Sequence, residues 1–299
     1  MINDLESNLQ TENIESTSDK FPIKQFNFNL PGIQQNLNIL TMSTSKKYIY
    51  LITDRAELLS IESKTLNPIH QAYSIRSNDT QTKGNFKENL TRIWTDRAGN
   101  HSIIRLGEKI YYFNCLLSDV KELNIFKGLE ICAIGFDDTI NNPNQTGNFL
   151  ATDYYNNIYE CSINIEKTPK EGYVIKDNLE KISKIIFKDW DTEDEDEILE
   201  EKDIKDERIY GIKIFRTTKN KKDIKPSDNM YYIIAVTKSR IYEFKGPGES
   251  TFRQTFESYN NDKILFNDAC KYFPQNIKRK DRITNLDILY RNDRKDQEQ

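Results

Sequence analysis

The chain has two imidazoles, His70 and His101. A serine or cysteine nucleophile generally needs such a base within hydrogen-bond reach, so these two bound the covalent chemistry open to the protein. No G-x-S-x-G elbow accompanies them. His101 stands beside a turn at the expected start of a strand, where an imidazole hydrogen-bonds the backbone. His70 lies in a weak outer strand and is expected to face solvent. The glycine cluster GPGES (246–250) lacks the Lys-Ser/Thr pair of a phosphate-binding loop and reads as a turn set by Pro247 and Gly248. No catalytic and no cofactor-binding residue follows from these patterns.

Carboxylates are the next candidates. The run DWDTEDEDEILEEKDIKDE (189–207) has alternate acids at Asp191, Glu193 and Glu195, and Glu200 is twelfth from Asp189. That is the spacing of a calcium loop, but Asp194 occupies the place where such a loop turns on glycine. No metal site is assigned. The run reads as a disordered inter-strand loop, with an electrostatic contact to a basic partner as the functional alternative. Paired carboxylates for glycoside hydrolysis are the strongest enzymatic rival. Sugar sites of that kind use exposed Trp, whereas Trp94 sits in an apolar strand and Trp190 opens the acidic run.

Composition narrows the field further. The 299 residues include 43 basic and 47 acidic side chains, a net charge of -4. This offers no basic field for nucleic acid or an anionic membrane, and the basic carboxyl end around Lys278 reads as a solvated tail. Mean hydropathy is -0.75. Yet 16 Tyr, 15 Phe and recurrent Ile favour the pleated, half-buried surface of sheets. The polar start carries Asp4, Glu6, Glu12 and Glu15 and lacks the basic-then-apolar pattern of a signal peptide. No apolar run reaches the length of a membrane span. Cys115, Cys132, Cys161 and Cys270 show no paired spacing and are expected as reduced thiols in strands. The expected compartment is the cytosol.

The elements that would carry these residues repeat. Four segments share a short apolar strand, a polar turn and a strand rich in Ile and Tyr: YIYLITDRAELLSI (48–61), SIIRLGEKIYYF (102–113), FLATDYYNNIYECSI (149–163) and YIIAVTKSRIYEF (232–244). Each is a hairpin pattern, with Gly107-Glu108 and Asn156-Asn157 as turn residues that tolerate positive φ. An apolar run precedes each hairpin: LNILTMS, TRIWTD, LEICAIGF or IYGIKIF. Weaker runs follow it: IHQAYSI, EGYVIKD or FRQTFESY. Leu58, Ile110, Ile158 and Ile241 hold equivalent places in the third strand. Four strands per unit is the makeup of a propeller blade. The fold class is therefore all-β, a partial β-propeller of about four complete four-stranded blades at 37–77, 90–124, 128–178 and 208–259. ITNLDILY (283–290) reads as the start of a fifth. Polar stretches at 189–207 and 219–229 lengthen the interval before the fourth unit as loop insertions. The domain reading is a disordered polar tail over 1–35, the propeller over 36–290 and a polar tail over 291–299.

The order of the segments carries a family resemblance. IWTDRAGNHSII (93–104) resembles the aspartate-proline-threonine-glycine-x-histidine segment of the vacuolar protein sorting-associated protein 18 family. Asp96, Gly99 and His101 match, while Arg97 and Ala98 stand for its proline and threonine. KGLEICAIGF (127–136) is similar to the opening of the next blade, with Phe136 where a tryptophan is usual. FLATDYYNNIYE resembles a glycine-threonine hairpin through Thr152, Ile158, Tyr159 and Glu160, with Asn156 standing for glycine. VTKSRIYEFKG (236–246) and FESY (256–259) are similar to a later blade through Thr237, Arg240, Tyr242, Phe244 and Gly246. The resemblance implies a non-enzymatic scaffold of the class C core shared by HOPS and CORVET. It also implies protein subunits of that complex as partners, with no small-molecule substrate and no nucleic acid. Membrane association is then indirect, on the cytosolic face of endosome and vacuole membranes. The alternative reading is a generic cytosolic propeller interaction module of another pathway.

Overall fold

The computed structural model describes residues 38–65, 72–75, 91–117, 119–169, 172–184, 208–217, 230–237, 241–248 and 250–261. Among the described residues, fifteen strands form four antiparallel sheets, each made from consecutive strands. The first holds β1 (Ile39–Thr44), β2 (Tyr48–Thr53), β3 (Glu57–Glu62) and β4 (Tyr73–Ser74). The second holds β5 (Thr91–Thr95), β6 (His101–Leu106), β7 (Lys109–Asn114) and β8 (Lys121–Glu122). The third holds β9 (Ile131–Gly135), β10 (Gln145–Asp153), β11 (Asn157–Thr168) and β12 (Gly172–Lys184). The fourth holds β13 (Gly211–Thr217), β14 (Met230–Val236) and β15 (Ile241–Pro247), followed by helix α1 (Phe252–Asn261). These are propeller blades built as meanders, and the four hairpins read from the sequence are β2–β3, β6–β7, β10–β11 and β14–β15.

First strands of neighbouring blades lie side by side, β1 near β5, β5 near β9 and β9 near β13. The blades then stack through three apolar clusters, one per seam. In β7 the alternation of a strand sends Tyr111 and Phe113 to the seam with blade one and Ile110 and Tyr112 to the seam with blade three. A blade buried on both faces needs apolar residues at successive positions, which is why the hairpins read as apolar runs rather than as half-polar strands.

Two expectations are corrected. FRQTFESY is not a fourth strand but helix α1. Thr251 and Gln254 form a reciprocal cap, Gln254 N donating to Thr251 Oγ1 at 3.2 Å and Thr251 N to Gln254 Oε1 at 2.9 Å. This is the capping-box arrangement at a helix start. Phe252 and Phe256, one turn apart, then fall on the buried face. The third blade also runs to Lys184 rather than 178, because β11 and β12 pair continuously from Thr168↔Gly172 to Asn157↔Lys184. Leu58, Ile110 and Ile158 are equivalent, each the buried second residue of its strand, but Ile241 opens its strand half-exposed and Tyr242 takes the equivalent place beside it. His70, Cys270, Trp190, the acidic run at 189–207, the stretch at 219–229, ITNLDILY and both tails lie outside the described residues.

Candidate functional site

His101 is the first residue of β6 and is 1% exposed. Its backbone N–H donates to Asp96 Oδ1 at 2.9 Å, so the carboxylate closes the β5–β6 turn. Nε2 lies 2.7 Å from the carbonyl of Asn142 in the neighbouring blade. A carbonyl only accepts, which puts the proton on Nε2 and leaves Nδ1 as an acceptor. The Tyr112 hydroxyl donates to Nδ1 at 2.6 Å. Asn114 Nδ2, 3.0 Å from Nδ1, donates to the Pro143 carbonyl at 2.8 Å, and Asn114 Oδ1 accepts from Leu116 N at 2.7 Å. Burial holds the imidazole pKa below its ordinary value and raises that of the Tyr112 phenol. The ring is neutral, enclosed and fully engaged. It bolts blade two to the β9–β10 loop of blade three and does not activate a nucleophile.

The thiols follow the same logic. Cys132 on β9 is pushed up to about 11 by burial, and burial likewise raises Cys161 on β11. Cys115 follows β7 in a loop, not in a strand as expected, and is also raised by burial. All three are unpaired thiols, protonated at neutral pH. Trp94 is half-buried on β5 and packs on the core between blades two and three.

The turns carry structural roles that sequence reading underrated. Gly99 has φ +83, and a Cβ there would stand 2.5 Å from Ser45 Oγ. Asn156 does stand for glycine, at φ +60, and its Oδ1 accepts from Ile209 N of the next blade at 3.0 Å. Asp153, which no motif singled out, accepts from Tyr155 N and Asn157 N at 2.9 Å, from Asn157 Nδ2 at 2.7 Å and from the Tyr159 hydroxyl at 2.9 Å. Burial, then that carboxylate, pushes Tyr159 up to about 12. In blade one Thr53 plays the same part, its Oγ1 accepting from Arg55 N and Glu57 N at 3.3 Å. These groups set turns.

An open concavity lies elsewhere, where the loops joining first to second strands of blades one, two and three converge. Lys46, Lys47, Arg97, Ala98, Asp138 and Ile140 line it. Lys46 N donates to the Arg97 carbonyl at 2.9 Å, tying the first two loops together. Asn100 Nδ2 reaches Asn141 Oδ1 at 3.2 Å, joining the second loop to the third. Sequence reading saw Arg97 only as a replacement for proline and did not see Lys46 or Lys47. No spacing could reveal them, since three blades contribute.

The match to a protein-family model agrees with this architecture. The Pep3/Vps18/deep orange β-propeller domain matches residues 19–297. No curated protein matches the chain in sequence. Among solved structures, the WD40 domain of SCAP from fission yeast is similar at 14% identity, over 81% of this chain and 46% of that one, with a TM-score of 0.39. The complex of the fission yeast SREBP-SCAP binding domains is similar at 15% identity over 79% and 55%, TM-score 0.39. The Cps50 (Swd1) β-propeller domain of Myceliophteria thermophila is similar at 11% identity over 73% and 58%, TM-score 0.36. The chain thus spans about half the length of these solved chains. Among the described residues no helix is long and apolar enough to cross a membrane.

Proposed function

The chain belongs to the Pep3/Vps18/deep orange β-propeller family, and on that premise we propose that it is a non-enzymatic scaffold module of a class C tethering complex. That family consists of vesicle-tethering scaffold subunits with protein partners. In this reading the propeller serves HOPS and CORVET in docking and fusion of vesicles at endosome and vacuole or lysosome membranes. It sits on the cytosolic face, held there by the other subunits rather than by its own insertion.

The observation that carries the proposal is the match over 19–297, which spans all four described blades. The chemistry of the described residues supports it. The described histidine is neutral and consumed in a blade-to-blade bolt, and the described thiols are protonated. The test is affinity purification of the full-length gene product from its own cells. Recovery of the other class C core subunits is expected; repeated purifications that recover none of them would overturn the assignment.

A further inference from the structure

We infer that the concavity at Lys46, Lys47 and Arg97 is a receptor for an extended acidic segment of a protein partner. The inference rests on the reading of the chain as an interaction scaffold and adds the chemistry of what one of its surfaces takes. The chain has more acids than bases, 47 against 43, so its cations should find carboxylates easily. Some exposed lysines elsewhere do: Lys109 pairs with Glu122 at 3.2 Å and Lys176 with Glu166 at 2.7 Å. Lys46, Lys47 and Arg97 are exposed, share one concavity, and form no ion pair with any described carboxylate. Three like charges against the single lining carboxylate of Asp138 leave the concavity net positive, and an incoming anion relieves the repulsion among them.

The backbone beneath them is fixed. Besides the bond from Lys46 N to the Arg97 carbonyl, Ser63 donates from Oγ to the Lys46 carbonyl and from N to the Lys47 carbonyl, both at 2.9 Å. Ser45 Oγ accepts from Tyr48 N at 2.9 Å, and Gly99 packs its backbone directly against Ser45. The cations therefore spring from a backbone already held in place, which lowers the ordering cost of a bound chain. Ala98, buried, and Ile140, half-buried, supply an apolar floor for side-chain stems. Asp138 stands in the same concavity. Its charge opposes a dense phosphate but can be avoided by carboxylates spaced along a peptide. A flat anionic bilayer fits poorly, because it selects a broad basic surface and the chain as a whole carries -4.

The test uses the full chain and a short fluorescein-labelled glutamate-rich peptide, read by fluorescence anisotropy. Wild-type protein is expected to bind it, more weakly as salt rises from about 50 to about 200 mM. The triple variant Lys46→Ala/Lys47→Ala/Arg97→Ala should lose at least about tenfold in affinity, since exposed pairs each contribute a small factor and three multiply. The charge-matched control Lys176→Ala/Lys181→Ala/Lys184→Ala, on β12, should stay within about twofold. Equal loss in both variants, no loss in the first, or no binding by wild type overturns the inference. So does binding to phosphatidylcholine vesicles with about one-third phosphatidylserine that the first triple abolishes while the peptide goes unbound; that outcome assigns the site to a membrane. Recovery of core subunits by a full-length protein that ignores the peptide would sink this inference alone and leave the tethering proposal standing.

Discussion

The seam between blades two and three and the seam between blades three and four join equivalent surfaces by different chemistry. Both are lined by Ile, Phe and Tyr. At the first, a buried histidine, held by a tyrosine hydroxyl of its own blade, and an asparagine reach across to the carbonyls of Asn142 and Pro143. At the second, ring packing and backbone contacts make up the core, with Arg208 on Tyr154 and Arg253 on Glu180 beside them. Phe244 meets Phe256 of α1 edge-on at 4.9 Å, Asp137 bridges Ile214 in parallel, and Gly135 admits the Ile212 carbonyl where a Cβ would come within 2.6 Å. Burial alone can hold a blade pair. A polar bolt adds direction, because its bonds are satisfied in only one register.

The comparison breaks most strongly at the apolar seam. Phe244→Ala should cost about 4 kcal/mol, from lost transfer energy and the cavity left between β15 and α1. Urea unfolding at two pH values near neutrality should show the same loss at both, since the cluster holds no carboxylate, imidazole or thiol. A loss under about 1 kcal/mol would show that α1 repacks freely and is not part of the core.

The polar seam should instead respond to acid. His101→Asn leaves Asn142 and Tyr112 without their partner and should cost about 2–3 kcal/mol near neutral pH. The folded pKa of His101 lies below its unfolded value. The unfolded chain therefore takes a proton, as pH falls below about 6.5, that the buried ring refuses, and stability contributed by the neutral ring is lost with falling pH. Unfolding of wild type and variant between about pH 7.5 and pH 5.5 should show their difference narrowing. A gap that stays constant would mean that the ring titrates normally and the bolt is open to water.

The smallest effect sharpens the comparison, because the apolar seam also holds polar clips, one of them at Asn156. Asn156→Gly relieves a left-handed residue, worth about 1 kcal/mol, but strands the Ile209 N–H it accepts. A net loss of about 1 kcal/mol is expected in thermal unfolding. Ala56→Gly, at the equivalent turn with φ 57, should be near neutral, since backbone relief offsets one buried methyl of about 0.8 kcal/mol. If the two glycine variants behave alike, the clip contributes nothing.

Much of this fold was written in local patterns. Alternating and doubly apolar runs, separated by Gly107 or Asn156 where the chain needs positive φ, specify hairpins through neighbour interactions alone. That is why all four hairpins and their preceding strands were legible, and why the family segments fell on them in order. Even the misread helix had a local signal: Thr251 and Gln254 at capping-box spacing, outweighed in the reading by an expected periodic strand. The outer half of β12 was not legible, since its exposed face is as polar as a loop. The partners of His101, 41 residues away at Asn142, were likewise beyond any local pattern. The convergence of Lys46, Lys47 and Arg97 was invisible for the same reason. Their meeting depends on how two blades rotate and stack, and that is decided by the apolar clusters between sheets rather than by the spacing of the charges along the chain.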